Sequence, residues 1–91
     1  MQFEWNLDKA NSNLKKHGVS FIEASTVFND SLSVTFPDPD HSYGEERYVI
    51  IGLSSASRIL IVPYTDRADR VRIISAREAT RNEQRFYEDG E

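Results

Sequence analysis

The sequence has 91 residues, no cysteine and a formal net charge of −4, and this length favours a single domain over residues 1–91 with a small hydrophobic core. The absence of cysteine excludes disulfide bonds and thiolate metal sites. Residues 1–5 contain neither a basic segment nor an apolar run, and no stretch approaches the roughly 18 apolar residues of a membrane span, so we expect a cytoplasmic protein without a signal peptide or a membrane partner.

Two short helices are predicted before residue 30. The first begins at Asn6 or Asp8, both good N-cap residues, and continues to about Lys16. Gly18 follows as a residue suited to the left-handed conformation that ends many helices. The segment Ser20-Phe-Ile-Glu23 matches a capping box and predicts a second helix to about residue 28. The apolar residues of this helix that we expect to be buried are Phe21, Ala24, Val27 and Phe28.

Four strands are predicted to follow these helices. Alternating or β-branched segments indicate strands at residues 32–36, 48–53, 58–62 and 70–73. Between the first two, Pro37–Gly44 contains two prolines and one glycine, which is typical of a loop. Pro63 has no amide donor and is therefore expected near a strand end or a sheet edge. The short connections favour a four-stranded antiparallel sheet.

A longer helix is predicted after the last strand. Ser75-Ala-Arg-Glu78 matches a second capping box, so the helix should start near residue 76 and end near residue 88. In such a helix Arg77, Arg81 and Arg85 would lie on nearly one face. The resulting order, ααββββα, groups the helices before and after the sheet and predicts an α+β fold.

The last strand and helix carry most of the arginines. Arg70 and Arg72 share one face of the predicted strand, with Val71 and Ile73 on the other. Residues 67–85 contain six arginines and three acidic residues, and we call these arginines the arginine stripe. Because salt screens charges over about 8 to 10 Å, such a local stripe can bind phosphate although the whole protein is acidic.

Three ordered blocks of residues resemble one known family. They are Phe3-Glu-Trp5 with Asn13-Leu-x-Lys16-His-Gly-Val-Ser-Phe21, then Gly44-Glu-Glu-Arg47 with Ile51-Gly52, then Arg70-x-Arg72-Ile-Ile-Ser-Ala-Arg77 with Ala79-Thr and Glu83. In this order and spacing they are similar to the BrnT family of bacterial toxins, partners of BrnA antitoxins. The resemblance implies a RelE-like fold, a ribonuclease activity that arrests translation, and neutralisation by a ribbon-helix-helix antitoxin that itself binds DNA.

One position departs from the family pattern. Where the family tends to have a histidine, ahead of the arginine block, this chain has Tyr64. A tyrosine keeps a hydroxyl for hydrogen bonding, but its usual pKa of about 10 makes it a poor general base near neutral pH. We therefore keep a second hypothesis, a non-catalytic interaction protein of the same fold that binds a partner protein through its arginine stripe.

RNA cleavage without a metal ion sets the chemical requirements for a site. The 2′-hydroxyl attacks its own phosphate, so the enzyme must stabilise the charge of the phosphorane and move protons. Guanidinium groups suit that charge, because they are permanently cationic and match phosphate oxygens in geometry. The alternative is that the arginines form surface ion pairs with neighbouring acids or bind an antitoxin. The candidate catalytic residues are Arg72, Arg77, Arg67 and Tyr64, and the candidate RNA-binding residues are Arg47, Arg81 and His17.

The remaining polar candidates have plainer explanations. His17 can transfer protons, but it can equally serve as a cation at the end of the first helix. Glu45 and Glu46 can act as bases or pair with the arginine beside them. His41 follows an Asp-Pro-Asp turn, and prolines and aspartates in a turn need no metal ion to account for them. No metal ion and no cofactor are therefore predicted.

Overall fold

The computed structural model describes residues 1–38 and 45–89. It has an α+β architecture, with three α-helices and a mixed sheet. The elements in chain order are β1 (Gln2–Glu4), α1 (Leu7–His17), α2 (Phe21–Thr26), a 3₁₀ helix (Val27–Asn29), β2 (Val34–Pro37), β3 (Arg47–Leu53), β4 (Ile59–Arg67), β5 (Arg70–Ile73), β6 (Arg77–Glu78) and α3 (Arg81–Glu88). Most of the predicted loop at Pro37–Gly44, including His41, lies outside the described residues.

The sheet has more strands than the sequence predicted. Its order is β1-β5-β4-β3-β2, and β6 also pairs with β4. The predicted strands are antiparallel to one another, whereas β1 runs parallel to β5, with Phe3 opposite Val71. The predicted order ααββββα and its purely antiparallel four-stranded sheet are therefore wrong. β1 and β6 have three and two residues, too few for an alternating pattern to be visible.

The two faces of the sheet bury different clusters because successive side chains along a strand point to opposite sides. One face packs against α1 and α2, and its buried residues include Phe21, Ala24, Leu60, Val62 and Ile73. The other face packs against α3, where Ile51, Ile61 and Ala79 form a smaller cluster with Tyr87 at its margin. The helices thus lie on both faces of the sheet, and α3 covers only one end of its face.

The first two helices begin and end where the sequence predicted. The side chain of Asn6 accepts a hydrogen bond of 3.0 Å from the amide of Lys9, and Gly18 adopts the left-handed conformation with φ of 69°. Ser20 accepts a bond of 3.0 Å from the amide of Glu23. The Glu23 carboxylate, however, binds Ser54 and Arg58 and so ties α2 to the β3–β4 hairpin.

The last helix begins five residues later than predicted. Its capping box is formed by Thr80 and Glu83, with bonds of 3.3 Å and 2.8 Å. The competing box at Ser75 fails because Asn13 holds both backbone polar groups of Ala76 and Arg58 binds the carboxylate of Glu78. The segment after Ser75 is therefore extended and forms β6.

Pro63 lies in the middle of β4, the central strand, and not at a strand end or sheet edge as predicted. It pairs with Val49 of β3 on one side, and on the other its carbonyl accepts a bond of 3.0 Å from the amide of Ile74. On that second side β5 ends at Ile73 and β6 begins at Arg77. The position without a donor therefore coincides with the gap between two partner strands, where the ladder tolerates proline.

Candidate nucleic-acid interface

The candidate arginines of the strands lie on one face of the sheet. Thr65 of β4 stands between Arg47 of β3 and Arg72 of β5 in the register, and Arg67 stands opposite Arg70. Directly opposed residues share a face. Arg77 lies on this face too, because it is opposite Ile61, which belongs to the cluster that packs against α3. We call this side, opposite α1 and α2, the arginine face.

Four arginines gather at one end of this face, and we call the group Arg47, Arg67, Arg70 and Arg72 the arginine corner. Glu4 of β1 pairs with three of its members, at 3.2 Å from Arg72, 3.4 Å from Arg70 and 3.6 Å from Arg67. The guanidinium groups, Arg72 above all, hold the pKa of the Glu4 carboxyl below its usual value. Arg67 also binds Glu45 at 3.0 Å. The corner is therefore a paired structure in the free protein.

Among the described residues, Arg77 forms the shortest ion pair of the arginine face. Its two terminal nitrogens donate to the two oxygens of Glu83, at 2.7 Å and 2.8 Å. This two-bond geometry lowers the pKa of Glu83 to about 2 and raises that of Arg77. One oxygen of Glu83 also accepts from the amide of Thr80, so Arg77 is attached to the first turn of α3 and does not belong to a helical row of arginines.

A groove of about 840 Å³ runs between the open part of this face and α3. Its floor is apolar and comes from the three strands β2, β3 and β4, through Val34, Phe36, Val49, Ile51, Ile61 and Pro63. Phe86 of α3 closes the far side, with its ring 6.2 Å from that of Phe36 in an edge-to-face contact. The polar rim includes Arg77, Glu83 and His17. Both aromatic rings remain substantially exposed, at 38% and 41%.

His17 is brought to the same groove as Arg77. It is the last residue of α1 and lines the groove together with Ser75 and Ala76. The sequence distance between His17 and Arg77 gave no indication of this proximity. The groove therefore has an imidazole and a fixed guanidinium in its lining, and imidazole is a common proton carrier in enzymes.

Tyr64 lies on the opposite face, apart from the arginines. It is 7% exposed, its ring stacks on Tyr48 at 5.7 Å, and it contacts Phe28 edge-on at 4.9 Å. Burial raises its pKa further, and Asp66 adds to this effect. The structure does not bring Tyr64 to Arg72 or to Arg77.

Arg81 and Arg85 are exposed on α3, one helical turn apart. Within the ranges that the structure describes, neither forms an ion pair. The predicted row of three arginines is reduced to these two, because Arg77 precedes the helix. Arg81 nevertheless stays near the groove, since its neighbour Asn82 lines it.

Most of this chain matches one known family of proteins. The family model for the ribonuclease toxin BrnT of type II toxin-antitoxin systems matches residues 5–83. The chain belongs to the BrnT family. The matched range contains His17 and every candidate arginine, from Arg47 to Arg81. Comparison with the curated proteins gives no match.

A solved structure agrees with this assignment to the BrnT family. The crystal structure of the Brucella abortus ribonuclease toxin, BrnT, superposes with a TM-score of 0.69 and 23% sequence identity. The match covers 89% of this chain and 99% of the Brucella chain. At this identity the likeness shows that the two proteins share a fold.

One positioning residue of this BrnT-family chain was not recognised as such from the sequence. Asn13 is 7% exposed, and its amide group donates to the carbonyls of Val19 at 3.0 Å and Ala76 at 2.8 Å. Its oxygen accepts from the amide of Ala76 at 3.1 Å. Asn13 therefore fixes the backbone next to Arg77. A polar residue within the apolar period of α1 was the available signal.

No group of three or more His, Asp or Glu side chains in residues 1–38 and 45–89 lies in a position to hold a metal ion. Over the same ranges, no helix combines the length and apolar character that crossing a bilayer requires.

Proposed function

We propose that this BrnT-family chain cleaves RNA without a metal ion and thereby arrests translation. Membership of a family of ribonuclease toxins supports the proposal. The observation that carries it is that Arg77 and His17 line one groove, and that Arg77 lies on the same face of the sheet as the arginine corner. A cationic group and a proton carrier are the two elements that cleavage by the 2′-hydroxyl requires.

The two arginines predicted as catalytic have separate tasks in this proposal. Arg72 is opposite Thr65 and Arg77 is opposite Ile61, positions four residues apart on β4, or about 13 Å of strand. Arg77 then stabilises the phosphorane at the groove while His17 takes the proton of the attacking 2′-hydroxyl and passes it to the departing 5′-oxygen, so that the P–O2′ bond forms as the P–O5′ bond breaks. Arg72, with Arg67 and Arg47, binds a neighbouring phosphate and fixes the RNA in register.

An antitoxin is expected because the family belongs to type II toxin-antitoxin systems. We propose a BrnA-type ribbon-helix-helix protein, itself a DNA-binding protein, as this partner. The apolar floor of the groove and the exposed pair Phe36 and Phe86 offer the apolar surface that protein partners bury. A partner seated there would cover Arg77 and adjoin Arg81, so neutralisation would result from exclusion of RNA.

The direct test uses the purified chain, a structured RNA and no added metal. We expect cleavage in the presence of EDTA, a large loss in His17→Gln, and little change in Lys15→Ala on the same helix. Saturation with the antitoxin should abolish cleavage. Activity lost on adding EDTA, or cleavage that persists in the saturated complex, would count against the proposal.

The non-catalytic hypothesis retains one specific observation in its favour. Tyr64, at the position where the family tends to have histidine, is in the core and apart from the arginines. Under this hypothesis the purified chain binds the antitoxin through the arginine face and leaves RNA intact. Tight binding of that partner by a folded chain with no detectable cleavage, under conditions in which an active BrnT-family toxin cleaves, would favour it.

A further inference from the structure

The carboxylate of Glu4 occupies a site made of guanidinium groups. Arg67, Arg70 and Arg72 all lie within 3.6 Å of its oxygens. One carboxylate cannot neutralise these three cations, and the only other described carboxylate that pairs with any of the three is Glu45, which binds Arg67. Guanidinium groups arranged around a carboxylate present the same donors that bind a phosphate. The corner thus has the chemistry of an anion site that the protein fills with its own side chain.

Thr65 provides a second and independent observation at the same place. It is 2% exposed, and its hydroxyl has no hydrogen-bond partner within the part of the chain that the structure describes. In the register it lies directly between Arg47 and Arg72. A buried hydroxyl without a partner is unfavourable in the free protein. Its presence beneath the arginines is explained if a ligand supplies the missing acceptor.

The Glu4 carboxylate is held in a way that lets another anion replace it at the arginines. β1 is a three-residue edge strand that pairs only with β5 among the described strands. Glu4 retains 23% side-chain exposure, and Arg67 and Arg70 are exposed by 46% and 56%. Ion pairs this open to water are weak. A more highly charged anion can therefore displace the carboxylate without unfolding the strand.

We propose that the arginine corner binds one phosphate group of an RNA chain, and that Glu4 is an internal competitor that holds this site in the free protein. The Thr65 hydroxyl donates to a phosphate oxygen while the guanidinium groups of Arg67 and Arg72 take the others. This inference rests on the proposed function and adds to it a named subsite and a residue that regulates its occupancy.

The test measures binding without cleavage, using a 2′-O-methyl oligoribonucleotide, which lacks the attacking hydroxyl. Glu4→Gln removes the competitor and should lower the Kd about three- to tenfold, the range expected when one or two weak ion pairs no longer have to be exchanged. Glu88→Gln, an exposed carboxylate at the end of α3, is the matched control for net charge. It should change the Kd by much less.

Thr65 is tested separately by removing only its hydroxyl. Thr65→Val should raise the Kd about fivefold or more, in keeping with one hydrogen bond to a charged group. Its melting temperature should stay the same or rise, because the variant no longer buries an unpaired hydroxyl. Thr65→Ser restores the donor and should bind like the wild type. A role in packing alone predicts the same binding for Val and Ser.

The outcomes separate this inference from the proposed function. Equal affinities of Glu4→Gln and Glu88→Gln, or of Thr65→Val and Thr65→Ser, would overturn the subsite even if the wild-type chain cleaves RNA. A wild-type chain that neither cleaves RNA nor binds the 2′-O-methyl oligonucleotide would overturn both.

Discussion

Arg77 and Glu83 are joined by two parallel hydrogen bonds, 2.7 Å and 2.8 Å long, across the junction between β6 and α3. Such a pair fixes the plane of the guanidinium as well as its position. Glu83 in turn caps the helix through the amide of Thr80 at 2.8 Å. The cation proposed to meet the phosphorane is therefore held in place before RNA arrives.

Arg77 should matter for both cleavage and stability. If it stabilises charge in the transition state, Arg77→Ala should lower the cleavage rate about 100- to 1000-fold. The lost ion pair should also cost about 1 to 2 kcal/mol, since both side chains are partly exposed, which lowers the melting temperature by about 5 to 10 °C in a chain of this size. Cleavage rates and thermal unfolding are measured on the same preparation.

Arg77→Lys separates charge from geometry in this experiment. It keeps the cation but cannot form both bonds, so we expect intermediate activity. Arg85→Ala, an exposed arginine on α3, controls for loss of charge and should be nearly neutral. Wild-type activity in folded Arg77→Ala would make the residue purely structural.

The same ion pair predicts a dependence of stability on pH. The pKa of Glu83 is about 2 in the folded protein, against 4.5 ordinarily, so its contribution is fully present above about pH 4.5 and is lost as the pH falls toward 2. After allowance for solvent screening this contribution is at most about 2 kcal/mol. Melting curves of the wild type and Glu83→Gln should differ at pH 7 and converge near pH 2. A gap that stays constant over this range would contradict the assignment.

Asn13 should be essential for stability although it touches no proposed substrate. Asn13→Ala leaves the carbonyls of Val19 and Ala76 and the amide of Ala76 without their partner. We expect a loss of about 2 to 3 kcal/mol and a fall in the melting temperature of about 10 to 20 °C. Asn11→Ala, at an exposed position of the same helix, should have little effect. Equal melting temperatures of the two variants would show that Ala76 is held by other contacts.

The Tyr64 hydroxyl should be dispensable for RNA cleavage. Tyr64 lies in the core on the helix-covered face, so Tyr64→Phe should leave cleavage within about threefold of the wild type, the scatter of an ordinary core substitution. A strong loss of cleavage in a fully folded Tyr64→Phe variant would restore Tyr64 to the catalytic role.

Arg72 should contribute to RNA affinity more than to stability. Arg72→Ala should reduce the affinity for RNA with little change in the melting temperature, because the ion pair of Arg72 with Glu4 is partly exposed.

Local signals predicted the start of both N-terminal helices well. Asn6 and Ser20 form the predicted N-caps through their side chains, and Gly18 forms the predicted C-cap through its left-handed conformation. Such caps depend on a few neighbouring residues, and they can be recognised from sequence.

The start of α3 depends on contacts between residues far apart in the sequence, which a local sequence pattern cannot predict. Ser75-Ala-Arg-Glu78 and Thr80-Arg-Asn-Glu83 match the same capping motif, and only the distant residues Asn13 and Arg58 decide between them. The same limit applies to the candidate site. The shared face of Arg70 and Arg72 followed from alternation. Glu4, in contrast, joins the arginine face only through the sheet register, and His17 reaches the groove only because α1 ends there.

The parallel pairing of β1 with β5 also sets an order of assembly during synthesis. Glu4 and Arg72 are 68 positions apart in the chain, so β1 cannot pair until a partner strand that is synthesised much later is available. Contacts of such long sequence separation form late, because a long loop has to close first. On a translating ribosome, the arginine corner can therefore form only after β5 has been synthesised, long after β1.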